Sequence, residues 1–377
     1  MTSLHSGAQS EPVLPVSTSA AQLVSRDHRL DLRPFEELLP LLVADVHALY
    51  GRGCGLAPSA VFERLYSYVL RVGVVHEGET RPREHLFVKV SKSKVVDGVS
   101  SGMRARVERD FRVTQRVFER MAGGERYGAV RPIACYPALL AIVTEEVPGE
   151  TLLKAVEQRM RWALDSSRSA DLQEVFAAAG TWIREFQEPA EGSFGLQWIR
   201  DYIDSRLQRI AKVSGARGER LRGEVLRHID RLGSRLPDEP AAAVTVHADL
   251  SPSNIMVCDQ RVVVLDFAMA RAGHPLQDVA RLFTQLELLA LKPQFRRAAV
   301  RPLQLAMLRG FDPGLRADDP AFRLQVLAQR INHLGSLTIK KYGLLERTYN
   351  RFVVWQHWRW IEREIAARDS EATAAWG

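Results

Sequence analysis

Lysine is scarce in this chain: eight residues of 377, against 44 arginines. Cysteine is scarcer. Cys54, Cys135 and Cys258 are odd in number, far apart and without a Cys-x-x-Cys pair. That excludes a disulfide framework or a structural zinc site and points to a reducing cytoplasm. No apolar run approaches the roughly 18–20 residues that span a bilayer. The opening MTSLHSGAQSEPVLPVSTSAAQ has neither the basic n-region nor the apolar core of a signal peptide. Its Ser, Ala, Pro and Gln content reads as a mobile tail over residues 1–28. A glycine-rich phosphate cradle is missing as well. There is no Walker A pattern, and the cluster from Gly51 to Gly55 follows a helical run, where it reads as a helix stop.

What is present is ordinary globular composition, 46% apolar and 26% charged, in a chain long enough for two lobes with separate cores. The net charge of +7 is unevenly placed. Residues 279–377 hold 16 Lys and Arg against 9 Asp and Glu, while the preceding chain balances 36 against 36. A nucleic-acid surface would need a recognisable binding motif beside that surplus, and none occurs. Arginines spread along helical patterns read instead as solvated helix faces.

The pattern along the chain changes once. RPFEELLPLLVADVHALYG reads as helix with a break or restart at Pro40. ERLYSYVLRVGVV and HLFVKVSK flank a polar turn and read as adjacent antiparallel strands. Residues 103–121 have helical spacing, with Val107, Phe111, Thr114, Val117, Phe118 and Met121 on one face. RPIACYPALLAIVTEEV supplies two more short strands. Beyond TEEVPGE (144–150) helical patterns cover 151–164, 171–188, 194–213, 218–235 and most of the chain from 276, interrupted by short strand runs at 244–266. Asp171 with Glu174 gives capping-box spacing at the second of these helices. A small β-rich lobe over 29–146 thus precedes a larger helical lobe over 147–377.

The chemistry-bearing residues cluster around those interrupting strands. In VHADLSPSNIMV, Asp249 and Asn254 fall in a loop between Val244–Val246 and Ile255–Val257, and Asp266 ends the next strand, Val262–Leu265. The bland alternative is a turn cluster joining two core strands. A hairpin of this kind would bring Asn254 and Asp266 to the same end of two strands, with Asp249 projecting just before them. Two hard oxygen ligands suit Mg²⁺, which takes few ligands from the protein and the rest from phosphates and water. A separate carboxylate is what an attacking hydroxyl needs as proton acceptor. Lys89, inside the strand HLFVKVSK between Val88 and Val90, supplies the missing phosphate-binding cation. Alone it reads equally as an edge lysine; beside this loop the phosphate role is favoured.

These residues resemble the aminoglycoside phosphotransferase and choline kinase branch of the protein-kinase-like superfamily. The likeness runs over about 55–285. It rests on His247-x-Asp249 with Asn254 five residues on, on Asp266-Phe267, and on Gly273-His-Pro-Leu-Gln-Asp278, similar to the family's Gly-Asp-Pro-x-x-Asp. The resemblance implies an α+β, two-lobed protein-kinase-like fold and ATP and Mg²⁺ as cofactors. It implies Asp249 as catalytic base, Asn254 and Asp266 as metal ligands, and Lys89 on the nucleotide phosphates. His247 and Asp278 would support the catalytic loop, and the backbone around Glu145–Val147 would face the adenine. Ala248 stands where the family commonly has Gly, Ser251 where His is frequent, and Ala268 follows Asp266-Phe267; none of these removes a ligand. With glycines lacking, residues 59–67 are expected to cover the phosphates. The partner of Lys89 on the neighbouring helix is Glu108 or Asp110, about 200° apart. Asp110 lies nearer the apolar face and is preferred.

The expected activity is ATP-dependent phosphorylation of a hydroxyl on a small molecule, with no specific nucleic-acid partner and no transmembrane segment. A kinase-like fold without catalysis has no chemical need for Lys89, Asp249, Asn254 and Asp266 together. A protein kinase is disfavoured by the short stretch between Phe267 and Gly273. The basic surplus after 279 disfavours a polycationic aminoglycoside and favours a neutral or anionic, sugar-like acceptor. Phe352, Trp355, Trp358 and Trp360 could stack on a sugar, but at helical spacing they read as core.

Overall fold

The computed structural model describes residues 30–92, 101–160, 166–259, 261–292, 295, 297–339 and 344–374; the tail expected over 1–28 lies outside them. The chain divides into two compact units. One runs up to Gly149 and includes Val263–Met269; the other comprises Glu150–Val262 and the chain from Ala270 onward.

The first unit is built on a five-stranded antiparallel sheet. Its strands are β1 (Cys54–Glu63), β2 (Ser67–His76), β3 (Glu84–Ser91), β5 (Pro132–Tyr136) and β6 (Ala141–Glu145), in the order β1-β2-β3-β6-β5; β4 (Tyr127–Ala129) lies outside it. Alternation along β3 sorts its side chains by face. Leu86 and Val88 join Leu70, Val72 and Val74 in a core covered by Phe35 and by Leu39, Leu42 and Val46 of α1 (Leu39–Tyr50). Pro40 sits in the first turn of α1, where its missing N–H is harmless. Lys89 therefore faces the opposite side, directly across from Ile142 on β6. Ile142 and Leu140 pack there against Val107 of α2 (Ser101–Met121).

The sequence reading missed β1. Its residues, LAPSAVFE, do not alternate, and Pro58 argues against a strand. β1 is an edge strand, however, so Pro58 is tolerated, and the pairing with β2 shifts register between Pro58 and Ala60. The Gly51 cluster does end a helix: Gly51 caps α1 at φ +100°, a conformation that favours glycine.

The second unit is mainly helical: α3 (Leu152–Arg159), α4 (Ser166–Phe186), α5 (Leu196–Ser214), α6 (Ala216–Gly233), α7 (Gln277–Leu289), α8 (Arg297–Phe311), α9 (Pro320–Ile339) and α10 (Leu344–Ala374). Apolar residues three and four apart place Ile199, Ile203, Leu207 and Ile210 of α5 against Leu221, Val225 and Ile229 of α6, with Leu327 and Ile331 of α9 and Ile361 of α10. Trp358 joins this core, whereas Phe352 and Trp355 are exposed, so the terminal aromatics divide between the two surroundings. Helices α4 and α8 meet through glycines. A Cβ added at Gly310 would collide with the Ala177 backbone, one at Gly180 with the Met307 carbonyl, and Thr181 Oγ1 donates to the Gly310 carbonyl at 3.1 Å.

More strands interrupt the helices than 244–266 suggests. β7 (Glu150–Thr151) pairs with β10 (Ile255–Cys258), and β8 (Pro189–Phe194) and β12 (Arg271–Gly273) flank β9 (Ala241–Val246) in a three-stranded sheet. β8 is almost wholly solvent-facing, so it carries no apolar alternation to read. Helix α4 also begins at Ser166, ahead of the Asp171 start signal.

The strand β11 (Arg261–Val264) leads into Val263–Met269, which groups with the first unit. The Val130 N–H donates to the Val264 carbonyl at 3.4 Å, and Lys89 ion-pairs with Asp266.

Candidate active site

In the first unit, the face of β3 that meets α2 carries the cation. Lys89 Nζ lies 2.9 Å from Asp266 Oδ2 and 4.0 Å from Asp110 Oδ2. Asp110 is 4% exposed on the α2 face that holds Val107, while Glu108 points to solvent. Burial pushes the Asp110 carboxyl up to about 6, a rise opposed by Lys89 and by the Phe267 amide and reinforced by Asp266. Asp266 has φ +64°, a left-handed conformation that aspartate adopts more readily than most residues. After Glu145 the sheet gives way to a short connection. The Glu145 and Glu146 amides donate to the Arg131 and His85 carbonyls, and Arg71 grips the Glu146 carboxylate with two nitrogens at 2.8–3.1 Å. Among the described residues no hydrogen bond falls on the Val147 N–H.

The second unit holds His247, Asp249, Asn254 and Asp278. Asp278 opens α7 and is fully buried. Its two oxygens accept the backbone N–H groups of His247 (2.6 Å) and Ala248 (2.9 Å). Burial raises its pKa, opposed by His247, by both amides and by Arg281. His247 is also fully buried, with its ring against Trp182 and Phe186 of α4 at 6.4 Å each. Its Nδ1 accepts the Asp249 N–H at 3.3 Å, which fixes the unprotonated nitrogen. With the backbone fastened on both sides, the Asp249 carboxylate stands 48% exposed. Asn254 donates from Nδ2 to the Asp249 carbonyl at 3.0 Å, which turns its amide oxygen away from that bond.

A profile of the phosphotransferase enzyme family (APH) matches residues 116–334, more than half of the chain. The chain belongs to that family. No curated protein sequence matches it significantly. Among solved structures it is similar to a thermostable mutant of aminoglycoside phosphotransferase APH(4)-Ia in ternary complex with AMP-PNP and hygromycin B. The identity is 15% and the TM-score 0.53, over 88% of this chain and 98% of that one. It is also similar to choline kinase from Cryptosporidium parvum (12%, TM-score 0.51, 89% and 97% covered). A choline/ethanolamine kinase family protein from Mesorhizobium loti gives 15%, TM-score 0.51, 82% and 92%. At such identities the likeness speaks for the fold, which is the α+β protein-kinase-like one.

Sequence reasoning missed one residue at the Asp249 loop. Arg281 Nη2 reaches Asp249 Oδ1 at 2.5 Å, and its Nε donates to the Leu250 carbonyl at 3.1 Å. The signal was available in Gln277-Asp278-Val-Ala-Arg281: three residues apart on one helix, Asp278 and Arg281 share a face. Two departures from the family pattern also acquire geometry. Ala248 has φ +62°, the conformation in which glycine is at ease. His274, where aspartate is usual, accepts the Leu276 N–H on Nδ1 at 3.1 Å, as an aspartate oxygen would. Burial lowers the His274 pKa to about 4, so the ring stays neutral and that nitrogen stays an acceptor.

Proposed function

We propose that this chain transfers the γ-phosphoryl group of ATP to a hydroxyl of a small molecule, with Asp249 as the base. The observation that carries the reading is the Asp249 loop: a half-exposed carboxylate on a backbone pinned by a fully buried Asp278. Arg281 holds one carboxylate oxygen, which leaves the other for the acceptor's proton. Lys89 is the cation for the nucleotide phosphates, oriented by Asp110. Asp266 and Asn254 offer one carboxylate and one amide oxygen, a hard donor set that fits Mg²⁺. Bound there with the nucleotide, the ion would neutralise charge on the transferring phosphoryl group. The Val147 N–H is a donor for the adenine edge, and the exposed Leu65 and Tyr66 between β1 and β2 lie in the stretch read as covering the phosphates.

The acceptor is proposed to be sugar-like and neutral or anionic. Support comes from the basic surplus of the last quarter of the chain, which would repel a polycation. The testing experiment compares wild type with Asp249→Asn for melting, MgATP affinity and phosphorylated product over a panel of sugars, aminoglycosides and amino alcohols. MgATP binding should survive while turnover falls by roughly 10²–10⁴-fold. Turnover unchanged in the variant would sink the mechanism, and a wild type that transfers phosphate to none of the panel would leave a binding fold.

A further inference from the structure

The basic surplus after residue 279 is not spread evenly over solvated faces. Six of its 16 positive residues line two neighbouring cavities of the helical unit. The larger, about 580 Å³, lies between α8, the following turn and α9, and is lined by Arg301, Arg309, Arg316 and Arg323 with Asp318 and Glu364. The smaller, about 250 Å³, shares Arg301 and adds Arg330, Arg363, Glu287 and Trp360.

The carboxylates are already committed. Arg316 pairs with Asp318, Arg323 with Glu364 and Arg330 with Glu287. The guanidiniums of Arg323 and Arg330 also stack on Trp360 at 4.8 and 4.6 Å, which fixes their planes. Arg301, Arg309 and Arg363 have no carboxylate partner among the described residues. Three uncompensated positive charges thus gather around cavities walled in part by Leu305 and Leu308, where solvent moderates their mutual repulsion and no carboxylate cancels it. A bound anion of about three charges would remove that repulsion, and guanidinium groups match phosphate oxygens in pairs. The volume suits a small molecule, not a polymer.

We infer that this arginine-lined cavity is a second ligand site, which takes a small multiply charged phosphate compound such as a diphosphate or phosphate ester. It is not the acceptor pocket of the proposed reaction. Glu287 lies nine residues beyond Asp278 on α7, roughly 14 Å along the helix from the end that holds the Asp249 loop.

The test is calorimetric titration of the full chain with inorganic pyrophosphate, on wild type, Arg301→Gln, Arg309→Gln and Lys89→Met. One saturable site is expected, weakened at least about tenfold by either arginine substitution. It should persist in Lys89→Met, which removes the cation assigned to the nucleotide phosphates. Both arginines are exposed helix positions, so folding is checked by melting, and either variant alone suffices. No saturable binding at millimolar pyrophosphate would overturn the proposal, as would affinity unchanged in both arginine variants. Binding abolished by Lys89→Met would place the ion at the nucleotide site and overturn it too. Arginine-dependent binding of a single-stranded oligonucleotide without any of pyrophosphate would identify a polymer surface instead.

Discussion

Replacing Asp278 by Asn asks whether a buried carboxylate holds the Asp249 loop. In the wild type each oxygen accepts one backbone amide, from His247 at 2.6 Å and Ala248 at 2.9 Å. Asn keeps one acceptor and turns an NH₂ group toward the other amide, so a charge-assisted hydrogen bond is lost and a buried N–H is left unpaired. Those two effects cost about 3 kcal/mol together, and relief from burying a charge returns part of it, for a net loss of about 2 kcal/mol. Asp278→Ala leaves both amides unpaired and should cost more, about 3–5 kcal/mol. The readout is hydrogen exchange of the His247 and Ala248 amides, whose protection should fall about thirtyfold in Asn and further in Ala. Turnover should fall with it, because Asp249 follows Ala248 directly. MgATP affinity should move less, since Lys89 and Asp266 sit in the other unit. Unchanged protection and turnover in Asp278→Asn, or an Ala variant milder than Asn, would refute the argument.

Ala248→Gly should raise stability by about 0.5–1 kcal/mol: relieving a left-handed alanine outweighs the entropy glycine adds to the unfolded chain. A lowered melting temperature would show that the alanine methyl contributes packing. Gly310→Ala should destabilise by about 1–3 kcal/mol, because its methyl meets the rigid Ala177 backbone; an unchanged melt would mean α4 and α8 can slide apart freely. Acid should weaken the second unit. His357 is held near 2 and His274 near 4, both below the unfolded value of 6.5. The stability they give is therefore present above pH 6.5 and lost as pH falls, by about 2 kcal/mol each at pH 5. The acid transition should move to lower pH in His357→Leu, and an unmoved midpoint would count against it.

Strands whose side chains sort by face were readable; strands without a buried face were not. β2 and β3 show alternation because one face covers Phe35, Leu39 and Leu42, whereas β8 is open to solvent and β1 is an edge strand broken by Pro58 and a register shift. The partition of the chain was legible only in part for a related reason. The change at TEEVPGE is a change of periodicity, which sequence shows. The grouping of Val263–Met269 with the first unit depends on long-range pairing to Val130 and Lys89, which no local pattern encodes.

At the candidate site, residue types and spacing singled out Lys89, Asp110, Asp249, Asn254 and Asp266 but not what holds them. Asp110 could be preferred over Glu108 because helical geometry alone puts the two on different faces. Arg281 was overlooked because arginine is the commonest charged residue of this chain, so one more on a helix carries little information. Its meaning comes from the neighbouring Asp278. The helix turn that sends Asp278 to the loop backbone also sends Arg281 to the Asp249 carboxylate. Histidine plays a parallel part twice. His247 and His274 each accept the N–H two residues ahead on Nδ1, so each closes a tight turn that an Asp or Asn would otherwise close. That role needs an unprotonated Nδ1, which the burial of His274 secures at that position. The substitution of histidine for aspartate in Gly273-His-Pro-Leu-Gln-Asp278 therefore keeps the turn and removes a negative charge four residues from Asp278. The carboxylate that most needs to stay ionised in a buried place is thereby spared a like-charged neighbour.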